Sequence, residues 1–163
     1  MVRHGQYLGH LTDFRRMTLA LVKSGPAVSP GQLRGVGTQD VPFAWQEVGP
    51  WVDRAATRSR GKYTGADILA ALLDARAQLW VWSTPTAFGV LVTQIEQYPR
   101  NKCCWIRVAT GSNAAEWAQA AVARIEQFAR EVGCDAMELI ARPGWEKFLP
   151  SYARTHVYLE KAL

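Results

Sequence analysis

The stretch CCWIRVATGSNAAEWAQAAVARIEQFAREV, Cys103 to Val132, changes its periodicity once, and that change decides the fold. Trp105, Ile106 and Val108 read as a buried strand that stops at Ala109-Thr110-Gly111-Ser112. Beyond it, Trp117, Ala121, Ile125, Phe128 and Val132 recur at helical spacing on one face, with Gln119, Arg124 and Arg130 elsewhere. Asn113 is placed as N-cap with Glu116 three residues on, as in a capping box, and Gly133 closes the helix. A strand that feeds a helix through a glycine-containing turn aims free N–H groups at whatever lies above the sheet.

Upstream, Gln78–Trp82 and Ala87–Tyr98 read as strands separated by Ser83-Thr84-Pro85-Thr86, and Pro99–Lys102 is a second turn. Three strands joined by short turns predict an antiparallel meander. Before them, Phe43–Ser59 has helical spacing through Val48, Trp51, Val52 and Ala55, with a break or restart expected at Gly49-Pro50. Thr64 and Asp67 carry the start signal of a second helix, whose buried face is Ile68, Leu69, Leu72 and Leu73. Downstream, Asp135–Ile140 reads as a strand, Pro143–Leu149 as a short helix, and Thr155–Leu163 as a final strand. The fold class is therefore mixed α/β: a mostly antiparallel sheet with a meander, flanked by helices.

The N-terminal part reads differently. Tyr7, Leu11, Phe14, Met17 and Leu21 share a helical face, and Ser24–Pro42 holds four glycines and three prolines without periodicity. The division expected is an N-terminal helix and extended arm over 1–42, then one domain over 43–163. An ordered arm of this composition needs something to lie on, which points to an assembly role.

Composition bounds the rest. A chain of 163 residues, 48% hydrophobic, suits one compact core. No apolar run is long enough to cross a bilayer, and MVRHGQYLGH lacks a secretory core, so a cytosolic protein is expected. Cys103, Cys104 and Cys134 have neither CxxC nor zinc spacing and are expected as buried thiols, with no metal. The formal charge of +5 permits weak contact with nucleic acid, but its densest group, Arg54, Arg58, Arg60 and Lys62, is equally a solvated helix end. His4, His10 and His156 are scattered and form no nucleophilic arrangement.

From residue 43 onward the element order resembles the GCN5-related N-acetyltransferase (GNAT) fold. GKYTGADILAALLDARAQLWVW, VLVTQIEQYPRNK and REVGCDAMELIARPGWEKFLPSYARTHVYLEKAL are also similar to GNAT-like proteins of tailed bacteriophages and prophages. In that family the strand–turn–helix carries Q/R-x-x-G-x-G/A, whose N–H groups hold the pyrophosphate of acetyl-CoA. Here Arg107 is one residue too far from Gly111, and Asn113 occupies the second glycine position. The resemblance therefore implies a weakened cofactor site at Thr110, Gly111, Ser112 and Asn113. The family's tyrosine, a general acid for the leaving thiolate, is matched by Trp145, whose indole cannot serve. Tyr152 falls near a packing corner. Candidate bases are Glu96, with Gln94 on one strand face, and Glu47.

The resemblance implies a virion or virion-assembly protein on a non-catalytic GNAT-like scaffold. It would bind other virion proteins through residues 1–42, with Trp45 or Trp51 as further contacts. It would reside in the host cytoplasm during assembly and then in the virion, and a homo-oligomer is compatible. The alternative is an active acetyl-CoA-dependent N-acetyltransferase with a divergent pyrophosphate loop.

Overall fold

The computed structural model describes residues 31–156 and 159–161. The amphipathic segment at residues 7–22 lies outside them. The sheet has five strands in the order β1 (Arg34–Val36), β2 (Gln78–Ser83), β3 (Phe88–Gln97), β4 (Lys102–Ser112) and β5 (Ala136–Leu139). The meander β2–β3–β4 is antiparallel throughout, and β5 returns parallel to β4. A parallel return needs a crossover, supplied here by helix α3 (Ala114–Glu131). The mixed α/β, GNAT-like architecture expected from the sequence is the one observed.

Two apolar layers follow from strand alternation. Trp80, Trp82, Leu91, Cys104 and Ile106 face α3, where they meet Trp117, Val122 and Ile125. Leu79, Val90, Val92 and Val108 face the other way, onto helices α1 (Val41–Ala56) and α2 (Gly65–Leu73). The register of β3 and β4 slips once, because Val92 opposes Val108 and Thr93 opposes Ile106. Arg107 is the extra residue of this bulge, and it joins Val108 on the α1/α2 face instead of alternating away. Thr93 is fully buried on the α3 side. It accepts from Trp80 Nε1 at 2.9 Å and donates to Gln78 Oε1 at 2.9 Å, so its hydroxyl is satisfied.

Several local expectations are corrected. Helix α1 does not break at Gly49-Pro50, because Val41, Ala44, Val48 and Val52 form one buried stripe against the sheet. That burial outweighs the hydrogen bond Pro50 removes. Gly49 lies under Trp45, where a Cβ would come within 2.9 Å of the indole nitrogen. The stretch expected as an extended arm without periodicity contributes strand β1, the 3-10 turn Thr38–Asp40 and the start of α1. Thr155–Leu163 is not a strand at any described residue, so among the described residues β5 is an edge of the sheet. The capping box of α2 is as expected: Asp67 N–H donates to Thr64 Oγ1 at 3.3 Å, and Thr64 N–H to Asp67 Oδ2 at 2.8 Å. Gly133, at φ +75, closes α3, while Cys134 N–H reaches the Ala129 carbonyl at 2.8 Å.

Two glycines set how closely α3 and the meander approach. Gly111 pairs with Gly89, and a Cβ on Gly111 would stand 2.0 Å from the Phe88 carbonyl oxygen at φ +149. A Cβ on Gly89 would strike the Trp117 ring at 2.8 Å. Gly111→Ala is therefore expected to destabilise the fold by about 2 kcal/mol or more. Thermal denaturation followed by circular dichroism checks this, with Thr64→Ala as a milder comparison at about 1 kcal/mol.

Candidate active site

The junction of β4 and α3 is tighter than the sequence suggested. Thr110, Gly111 and Ser112 are not a loop; they pair with Val90, Gly89 and Phe88 of β3. The turn is Asn113 alone, at φ 49 and ψ 51. This left-handed backbone makes no side-chain cap, and the Asn113 amide donates instead to the Thr86 carbonyl. Glu116 does not complete a capping box either. Its carboxylate accepts from Thr84 Oγ1 at 3.0 Å and Thr86 Oγ1 at 2.7 Å, clasping the β2–β3 turn to the first turn of α3. A carboxylate there is favoured by the helix dipole.

A cleft opens where β4 and β5 part. Their last pair is Ile106 with Leu139, so Arg107–Ser112 has no neighbour on that side among the described residues. After β5, the 3-10 turn Pro143–Phe148 folds back, and Trp145 meets Trp117 edge-on with centroids 6.2 Å apart. Between this turn and the start of α3 lies a cavity of about 410 Å³, lined by Ala114, Arg142, Gly144, Trp145, Lys147 and Phe148. Arg142 and Lys147 are exposed and make no ion pair among the described residues. Two cations thus face a helix N-terminus across an aromatic floor.

A second cavity, of about 210 Å³, lies on the α1/α2 face between α2 and the bulge. Arg107 reaches its wall, donating through Nε to Gln94 Oε1 at 2.7 Å and through Nη2 to Glu96 Oε1 at 2.8 Å. Its guanidinium stacks 4.4 Å from the Trp105 ring centre. Gln94 and Glu96 do share a face, as alternation predicts. Glu96, however, is the ion-pair partner of Arg107 and lines neither cavity.

This is the fold of the GNAT acetyltransferases. No protein-family model and no curated protein sequence matches the chain. Solved structures do. An aminoglycoside acetyltransferase from an uncultured soil metagenomic sample, in complex with sisomicin, matches at TM-score 0.58 and 13% identity, over 81% of this chain and 95% of that one. The GCN5-related N-acetyltransferase of Ralstonia eutropha JMP134 matches at 0.57 and 15%, over 81% and 97%. The ribosomal-protein-alanine N-acetyltransferase of Brucella melitensis biovar Abortus 2308 matches at 0.56 and 13%, over 81% and 98%. Likeness at such identities establishes the fold alone.

Among the described residues, neither a tyrosine nor a carboxylic acid lines the cleft cavity. Trp145 occupies the place the resemblance gave to tyrosine. The Tyr152 hydroxyl donates to Glu126 Oε1 of α3 at 3.0 Å, and burial followed by that carboxylate pushes its pKa up. Elsewhere, the basic group Arg54, Arg58, Arg60 and Lys62 is exposed throughout, with Arg54 4.9 Å over Trp51 and Lys62 paired with Glu160 at 2.5 Å. His4 and His10 are outside the described residues. No group of three or more potential metal-ligating His, Cys, Asp or Glu side chains occurs among those described, and no described helix is long and apolar enough to cross a membrane.

The residues the sequence reading passed over are Arg142 and Lys147. Only their position beside a proline-started turn hinted at a role. Arg107 is mis-spaced for the signature, and its bulge leaves no mark in the sequence pattern.

Burial, with a hydrogen bond to Glu138, raises the Cys103 pKa from 9.0 to about 11. Burial, then Cys134, raises Cys104 to about 12. The thiolates are the nucleophilic form, so both residues should resist a thiol reagent at pH 8 until the protein is unfolded. Because the folded pKa values lie above the unfolded ones, this stabilisation is complete below about pH 9 and lost as pH rises through 11 to 12. Reaction with dithiobis(nitrobenzoate), with and without denaturant, measures the protection. Urea midpoints at pH 8 and pH 10.5 measure the linkage, with the lower midpoint expected at pH 10.5.

Proposed function

We propose that the chain binds an acyl-coenzyme A thioester between β4 and β5 and passes the acyl group to an amine. One observation carries this reading. The partnerless half of β4 runs straight into the N-terminus of α3, and Arg142 and Lys147 stand across the cavity from Ala114. Such a site suits phosphate, because backbone N–H groups and cations converge where water can be displaced. Of the first-turn amides, Glu116 N–H is held by the Asn113 carbonyl at 2.9 Å, so Ala114 and Ala115 would be the donors. Trp145 and Phe148 would take the apolar part. Thr110, Gly111 and Ser112 are committed to the β3 ladder, so a cradle there would reduce to Asn113 and the helix end. When bound, the thioester supplies an activated acyl group. This chain would contribute its binding, its orientation along β4, and exclusion of water by Trp145 and Phe148.

A second reading has an observation of its own. Trp145 stands where the sequence resemblance places the general acid, and the Tyr152 hydroxyl is taken by Glu126. This favours a scaffold without acetyl transfer; binding of virion proteins through residues 1–42 rests on the sequence resemblance alone.

Calorimetric titration with acetyl-CoA separates the two. The first reading expects one-site binding in the micromolar range, roughly −8 kcal/mol. Arg142→Glu with Lys147→Glu should weaken it at least tenfold, and added salt should weaken it further. Gly111→Glu would be a poor probe, since its side chain would break the β3–β4 ladder whether or not coenzyme binds. Absence of binding at roughly millimolar coenzyme would overturn the first reading in favour of the scaffold.

A further inference from the structure

The cavity beside the bulge has a chemistry separate from the cleft. Its floor is apolar: Ile68, Ala71, Ala77 and Val92 are all buried. Its polar rim is Tyr63, Asp67, Arg76, Gln94 and Arg107. At about 210 Å³ it holds roughly seven water volumes, the scale of a single amino acid.

Arg107, Arg76 and Asp67 each have a bonded partner, yet each keeps unused bonding capacity. A guanidinium has five N–H donors. Arg107 spends Nε on Gln94 and one Nη2 proton on Glu96, and Trp105 holds its plane, so Nη1 is left. Arg76 spends Nε and Nη2 on Asp74 Oδ2, at 3.3 and 3.0 Å, and again Nη1 is left. Asp67 receives both the N–H and the O–H of Thr64 on Oδ2, which leaves Oδ1. The hydroxyl and then the amide of Thr64 hold its pKa below the ordinary carboxylate value, so the charge persists at neutral pH. The rim therefore presents two guanidinium edges and one carboxylate oxygen above an apolar floor. A bulge, moreover, is a common means of re-aiming a side chain beside a site, and here it brings Arg107 onto the cavity's face.

We infer that this cavity binds a small apolar amino-carboxylate, an α-amino acid in size and charge. Arg76 and Arg107 take the carboxylate, Asp67 the ammonium group, and Ile68, Ala71 and Val92 the side chain. An Nη1–H from each guanidinium to a carboxylate oxygen makes these charge-assisted hydrogen bonds. The site also adjoins the cleft: Arg107 immediately follows Ile106, the last residue of β4 paired with β5. Identifying the ligand as acceptor amine rests on the acyl-transfer reading above, whereas its binding does not.

The test is an NMR titration of ¹⁵N-labelled protein, following Arg107 Nε–H and the Gln94 side-chain amide. The probes are L-leucine, L-leucinamide without the carboxylate, and 4-methylpentanoate without the amine. L-Leucine should give saturable shifts at roughly millimolar concentration or below, and each truncated probe should bind at least tenfold more weakly. Arg76→Gln, an exposed change, and Arg107→Gln should each weaken L-leucine at least tenfold, with unchanged melting temperature confirming the fold. Leucinamide binding as tightly as leucine, or no shift at either reporter, overturns the inference. A parallel titration with acetyl-CoA, followed at Trp145 Nε1–H, separates the two ideas. Shifts with coenzyme but none with leucine remove the amino-acid site and leave the cleft; the converse leaves the site and removes the acyl-transfer reading.

Discussion

Everything near the cleft depends on how Trp117 is seated. Its ring lies on Gly89 of β3, where no side chain could be tolerated, and its Nε1–H donates to the Ser112 carbonyl at 2.9 Å. One side chain therefore fixes the rotation of α3, its distance from the sheet and the end of β4. The residue is fully buried, and truncating a tryptophan in such a place costs about 3–5 kcal/mol. Trp145 and Phe148 then stack outward from it, so the wall of the cleft is an extension of the core. Gly111 completes the arrangement, because only a residue without Cβ can lie against the Phe88 carbonyl.

The electrostatics divide along the same lines. On the β2–β3 side of the helix start, Thr84 and Thr86 satisfy Glu116, which leaves that acid no role toward an external anion. On the β5 side the groups are cationic and unpaired among the described residues. On the far face, Arg107 is held by Gln94, Glu96 and Trp105. As an exposed ion pair it adds little to stability; its significance is the orientation it imposes on the guanidinium.

Much of the fold was readable because hydrophobic periodicity reports burial directly. The meander, the crossover helix and the α2 capping box follow from spacings that only one secondary structure satisfies. The errors came where tertiary contacts overrode local signals. Pro50 sits inside a helix because the buried stripe of α1 holds both sides of it. Gly111 and Ser112 look like turn residues but belong to a strand, since the close approach of β3 requires a glycine within the ladder. The αL backbone of Asn113 redirects its amide to Thr86, which a cap motif cannot foresee. The three residues of β1 carry too little pattern to be seen between glycines. For the site, the sequence supplied the strand–helix junction but not its occupants. Arg142 and Lys147 are brought to it only by the return of the chain after β5, and Arg107 only by a one-residue slip of register.

The sheet order also bears on how the chain reaches this state. Strands β2, β3 and β4 pair with immediate neighbours in sequence across short turns, so their loops close at little entropic cost. Strand β1 pairs with β2 only across α1 and α2, with Arg34 opposite Val81. Contacts of low sequence separation form early, so the meander is the natural nucleus and β1 a late addition at its edge. Late edges are the first to open in native-state fluctuations. Gly31 N–H, 3.4 Å from the Ser83 carbonyl, ties the start of the described chain beside Thr84, which is itself bonded to Glu116 at the head of α3. Opening of β1 is thus mechanically coupled to the end of the molecule that carries the cleft.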